Sequence, residues 1–141
     1  MFKPALAAMS AIVLVTACSG PASVKQARQN VNVFHAHYNN GENQAIWDSG
    51  SADLSRNTTQ AELFGALDTI RSQYGKVVST EQQGWRVNHH GGSSFSRLDM
   101  KTKFEKGTAY EQFTFRNVEG GKQLLAGWSL SDDPPPSDSE S

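Results

Sequence analysis

The side chains able to do chemistry are few. Four histidines fall in two close pairs, His35 with His37 and His89 with His90, and a single cysteine, Cys18, stands near the N-terminus. Paired histidines invite a metal site or acid–base chemistry. Residues two apart on a helix point to different sides, however, and no carboxylate or cysteine stands at a recognised ligand spacing from either pair. All four are read as surface histidines, and no metal or cofactor is expected. Ser93, Ser94 and Ser96 lie close to His89 and His90. Neither a nucleophile elbow nor a third triad member is legible there, so no catalytic residue is assigned. One cysteine cannot close an intrachain disulfide, and the small apolar residues around Cys18 lack the electropositive surroundings that activate a thiol.

What precedes the cysteine gives it a meaning. Lys3 is followed by an apolar run from Ala5 to Thr16, broken only by Ser10. The run is too short to cross about 30 Å of hydrocarbon, which takes about 20 residues, but it suits the core of a cleaved secretory signal. It ends in Val15-Thr16-Ala17-Cys18, which resembles the lipobox of bacterial lipoproteins. That resemblance implies a signal peptide over residues 1–17, cleavage before Cys18, diacylation of its thiol, and a lipidated tether over 18–23. An ordinary signal with an incidental cysteine is the alternative. Two or more acyl chains hold a protein stably where one does not, so the membrane, through lipid on Cys18, is an expected partner. Ser19, not Asp, follows the cysteine. This is similar to Gram-negative lipoproteins that pass to the outer membrane, and implies a cell-envelope location facing the periplasm.

The remaining chain has one domain's worth of residues. Its charge is nearly balanced, 13 Lys+Arg against 14 Asp+Glu. With no basic stripe and no RNA-binding aromatic signature, nucleic acid is not an expected partner. The last residues, 132–141, combine three prolines with acids and serines. They cannot bury enough surface to offset ordering entropy and are expected to be a disordered tail, with a polyproline docking ligand as the lesser alternative.

Periodicity supplies the elements in between. Val24, Ala27, Val31, Phe34 and Tyr38 recur at three and four, one face of a helix that Asn39-Asn40-Gly41 would end. The stretch from Glu42 to Ser49 predicts a second helix with Ile46 and Trp47 inward. Thr59 opens a third as a capping box with Glu62, followed by Leu63, Leu67, Ile70 and Tyr74. After Gly75 the period drops to two. Val77, Ser79, Glu81, Gln83, Trp85 and Val87 share one side of a first strand, with a kink or bulge expected at Gly84. Ser96, Leu98, Met100, Thr102 and Phe104 mark a second strand, Phe113 and Phe115 a third, and Leu124, Ala126, Trp128 and Leu130 a fourth. Tight turns between them imply an antiparallel meander. The whole of 24–131 therefore reads as one α+β domain, three helices packed on a four-stranded antiparallel sheet.

That order resembles the cystatin-like cone of the nuclear-transport-factor-two superfamily, with helices packed into a curved sheet. It is similar, more narrowly, to a bacterial family of secreted or lipid-anchored proteins carrying a domain of unknown function. The residues that carry the resemblance are Ala45-Ile46-Trp47-Asp48, the run Arg71 to Ser79, the glutamate of Tyr110-Glu111-Gln112-Phe113-Thr114-Phe115, and the closing Leu124 to Leu130. Enzymes of the superfamily place an acid, a histidine or a tyrosine inside the cone.

Here the residues expected to line a pocket or form the core are Trp47, Leu67, Arg71, Tyr74, Trp85, Met100, Glu111, Phe113 and Trp128. Most are apolar. Glu111 shares a side with Phe113 and Phe115, so alternation points its carboxylate inward. Arg71, four residues after Leu67, borders the apolar stripe of the third helix. The two are expected to meet as a partly buried ion pair. Function is then read as a membrane-anchored binding module with a periplasmic protein partner. A carrier of a small apolar ligand is the alternative, and an enzyme similar to the superfamily's isomerases and dehydratases a further one.

Overall fold

The computed structural model of the protein describes residues 21–136. The expected signal peptide and Cys18 lie outside the described residues, as do the last five of the chain. Helix α1 runs Ala22–Asn39 and buries Val24, Ala27, Val31, Phe34, His35 and Tyr38. Gly41, at φ +72°, then turns the chain, in the left-handed region that glycine tolerates. Helix α2 spans Asn43–Asp48 and buries Ile46. Helix α4 spans Gln60–Tyr74, and its N-cap Thr59 accepts from the Glu62 amide as expected.

One helix was not expected. Helix α3, Ala52–Asn57, has a single buried residue, Leu54, and is started by the Ser51 side chain, which accepts from the Asp53 amide. Six residues with one apolar position carry no period for sequence reading to detect. The count among the described residues is therefore four α-helices, not three.

The sheet has strands β1 (Val77–His90), β2 (Ser93–Phe104), β3 (Gly107–Asn117) and β4 (Gln123–Ser131), antiparallel in the order β1-β2-β3-β4. Gly91 and Gly92, both at positive φ, make the tight turn between β1 and β2 that matches strand twist. A short 3₁₀ turn, Glu119–Gly121, leads into β4. The chain is thus an α+β domain. The apolar sides of its helices and one face of the sheet close a single core, with Leu67, Leu98 and Phe113 at its centre.

Alternation holds without a break in the two central strands. Ser96, Leu98, Met100, Thr102 and Phe104 of β2, and Ala109, Glu111, Phe113 and Phe115 of β3, are all buried. In the outer strands it fails. Register shifts at Val77/Ser79 and Gln82/Gly84 put Thr80 and Gln82, not Ser79, Glu81 and Gln83, opposite Thr102 and Met100. In β4 a shift between Thr114 and Phe115 leaves Ala126 over and brings Leu125, not Leu124, opposite Phe115. Extra residues of this kind reverse which side faces the core; the irregularity expected at Gly84 is found there, and the other two emerge only from strand pairing.

Asp132 accepts from the Tyr74 hydroxyl, and Pro134–Pro136 share a hollow of about 430 Å³ with Tyr110 and Trp85. Most of the rest of the expected tail, residues 137–141, lies outside the described residues.

Candidate functional site

Glu111 is the pivot of the interior. It is 3% exposed, and a carboxylate so placed costs several kcal/mol in lost solvation unless donors replace the water. Three do. Its Oε1 atom accepts from His35 Nε2 at 2.7 Å and from Thr102 Oγ1 at 2.5 Å, and its Oε2 from Trp128 Nε1 at 2.9 Å. The three donors come from α1, β2 and β4, so one charge ties a helix to three strands. Thr102, having spent its proton on Glu111, accepts in turn from Thr80 Oγ1 at 2.8 Å. Phe34 and Phe113 meet edge to face at 5.0 Å between centroids beside the cluster, and Phe34 also meets Trp128 at 5.3 Å.

The inward direction expected for Glu111 is therefore observed, but its expected partner is not. Arg71 and Glu111 form no ion pair. The Arg71 guanidinium is committed at the end of α1 and start of α2. It donates to the Tyr38 carbonyl (2.9 Å), Asn43 Oδ1 (2.8 Å) and Asp68 Oδ1 (2.9 Å) and lies 5.0 Å over the Tyr38 ring. The Tyr38 hydroxyl donates to the Gly75 carbonyl. Burial pushes its pKa up to about 12, against the opposing pull of the Arg71 charge. Arg71 is a strut at the rim of the helices. A second rim pair, Arg116 with Asp53 at 3.0 Å, holds the Asp53 carboxyl below its ordinary range through that hydrogen bond.

His35 corrects a further expectation. It was read as a surface histidine and is 6% exposed. A signal for it existed: His35 follows Val31 by four and precedes Tyr38 by three, which puts it on the buried stripe of α1. His37, two residues on, does diverge; it lies at the helix rim near Glu42. His89 and His90 are exposed at the end of β1.

The other expected lining residues separate into core and surface. Leu67, Met100 and Phe113 are buried, while Trp47, Tyr74 and Trp128 are half-buried against the same core. Trp85 is not among them. It pairs with Leu98 but is 48% exposed, a large apolar side chain left on an edge strand.

A histidine bonded to a carboxylate is the arrangement of a general base and its orienter. A base must also reach a substrate, and here the space is taken. The hollow beside α1 bounded by Asn30, Phe34, Ile46, Phe115 and Leu125 holds about 60 Å³ and is lined by neither His35 nor Glu111; the one that Glu111 borders, with Tyr110, Gln112, Ser129 and Pro134–Pro136, holds about 240 Å³ and does not include His35. Both are smaller than the roughly 300 Å³ at which ligand pockets begin, and neither joins the two groups of the pair. Both oxygens of Glu111 are already occupied by the chain's own donors. The arrangement is a closed polar clasp. No protein-family model matches the chain, and no curated protein matches it.

Proposed function

We propose that the protein is a lipid-anchored module of the bacterial cell envelope that works through its surface, binding a periplasmic protein partner. The observation that carries the binding reading is the filled interior. Phe34, Phe113, Trp128 and the satisfied Glu111 occupy the space in which a carrier would hold a ligand or an enzyme its substrate. The reading of the fold as a closed variant of the nuclear-transport-factor-two-like cone agrees with this. The anchor reading is supported by Lys3, the apolar run and Val15-Thr16-Ala17-Cys18 in their proper order, and Ser19 favours the outer membrane. Among the described residues no helix is long and apolar enough to cross a membrane.

Metabolic labelling with a palmitate analogue tests the anchor. Wild type incorporates label and partitions with membranes, while Cys18→Ala loses the label and leaves that fraction. Equal labelling of both ends the lipoprotein reading. Crosslinking in the intact envelope tests the binding reading, which expects a discrete adduct with a second protein and fails if every adduct is with lipid alone.

A further inference from the structure

The fold brings three segments to the end of the molecule at which α1 begins. Gln123 Nε2, at the start of β4, donates to the Ser23 carbonyl in the first turn of α1 (2.7 Å) and to Asn117 Oδ1 at the end of β3 (2.8 Å). Asn117 Nδ2 donates to Ser94 Oγ at the start of β2 (3.0 Å). The start of α1, the turn between β3 and β4, and the turn at Gly91-Gly92 therefore share one end. The opposite end holds the Glu105-Lys106 turn, where the Lys106 amide donates to the Tyr74 carbonyl, and Asp132.

The near end is basic. Lys25 and Lys122 are exposed and Arg28 is half-buried there, against Glu119 and an Asp53 already paired with Arg116, with His89 and His90 exposed at the edge of the β1–β2 turn. Arg116 adds little, being paired with Asp53. The far end carries Glu105, Asp132 and Asp133 against Lys76 and Lys106.

Tether length links this end to a surface. Cys18 precedes Ala22, the first residue of α1, by four residues, which is at most about 14 Å of extended chain. An α-helix of 18 residues is about 27 Å long, so the far end of the domain stands well beyond the near one. An acylated Cys18 keeps the near end within about 14 Å of the headgroups, about one to two Debye lengths, where exposed charge is only partly screened. Given the lipid-anchored reading above, on which this rests, we infer that the domain stands on anionic phospholipid. The start of α1 and the β1–β2 and β3–β4 turns face the bilayer, and the Glu105-Lys106 turn faces away.

Cys18 is the chain's one cysteine, and acylation consumes it. A second cysteine is then a unique label site. Full-length protein carrying His90→Cys or Lys106→Cys is labelled with an environment-sensitive fluorophore. It is reconstituted in phosphatidylglycerol-containing vesicles doped with a headgroup nitroxide lipid, after mass spectrometry has verified the acyl chains. Quenching several-fold stronger at position 90 than at 106, and reduced by the pair Lys25→Glu and Lys122→Glu, is the expected result. Equal quenching, or stronger quenching at 106, on acylated protein overturns the orientation while leaving the anchor intact. Absence of acyl chains overturns the anchor and the orientation together.

Discussion

Two charged groups of this domain were expected to neutralise one another, and each instead has its own settlement. Glu111, inside, draws donors from α1, β2 and β4, which are far apart in sequence. Arg71, at the rim, draws on its own helix and on the adjoining ends of α1 and α2. The inner group had no water to fall back on, so every lone pair in use had to be met by a side chain brought from elsewhere in the fold. The rim group keeps some water, and local partners suffice. Burial decides how many elements a charge must recruit.

The largest expected effect sharpens that contrast. Glu111→Ala removes the common acceptor and strands the His35, Thr102 and Trp128 donors, at a cost of about 3–5 kcal/mol in denaturant unfolding. A double-mutant cycle of His35→Leu with Glu111→Gln should show coupling of about 1 kcal/mol or more. The cycle of Arg71→Met with Glu111→Gln should be additive within about 0.5 kcal/mol. Coupling of Arg71 and not His35 to Glu111 would reverse the assignment. Arg71→Met alone should cost about 1–2 kcal/mol, because its hydrogen bonds are partly open to solvent.

A smaller effect lies where the two regions meet, at Tyr38. Its hydroxyl pKa is raised from 10.0 to about 12, because burial disfavours the phenolate. The raised value means that the folded state holds the proton more tightly than the unfolded chain does. The stability this contributes is fully present below pH 10 and is lost as pH rises from there toward 12. Wild type should therefore lose stability relative to Tyr38→Phe across that window, read as the difference in denaturant midpoints. A constant difference from pH 8 to 11 would contradict it.

How much of this was legible in the sequence follows the same division between inside and edge. The central strands β2 and β3 could be read straight from alternation, Glu111 included, because each is paired on both sides and keeps its register. The edge strands could not. The shifts near Ser79, Gly84 and Ala126 arise from pairing, and only the one at Gly84 had a glycine to mark it. Trp85 does stand opposite buried Leu98, the side that alternation gives it, yet it stays 48% exposed on the edge strand. His35 was legible from its place on the α1 stripe, four after Val31 and three before Tyr38, which the spacing of the two histidines alone does not show. The choice of His35 over Arg71 as partner is tertiary: nothing in local spacing says that the α1 stripe crosses β3 at Glu111.

The central claim is that the interior is closed around Glu111, so that the domain acts through its surface. Hydrogen exchange of the tryptophan indole N–H groups, followed by NMR on nitrogen-labelled protein, tests it with an internal control. Trp128 donates to Glu111 inside, and Trp85 is 48% exposed on the edge strand. The account predicts that the Trp85 indole exchanges freely, while that of Trp128 is slower by about 100-fold or more, as for groups released only by large-scale opening. Exchange of Trp128 as fast as that of Trp85 would mean that water reaches Glu111 in the folded state, and would contradict the closed interior.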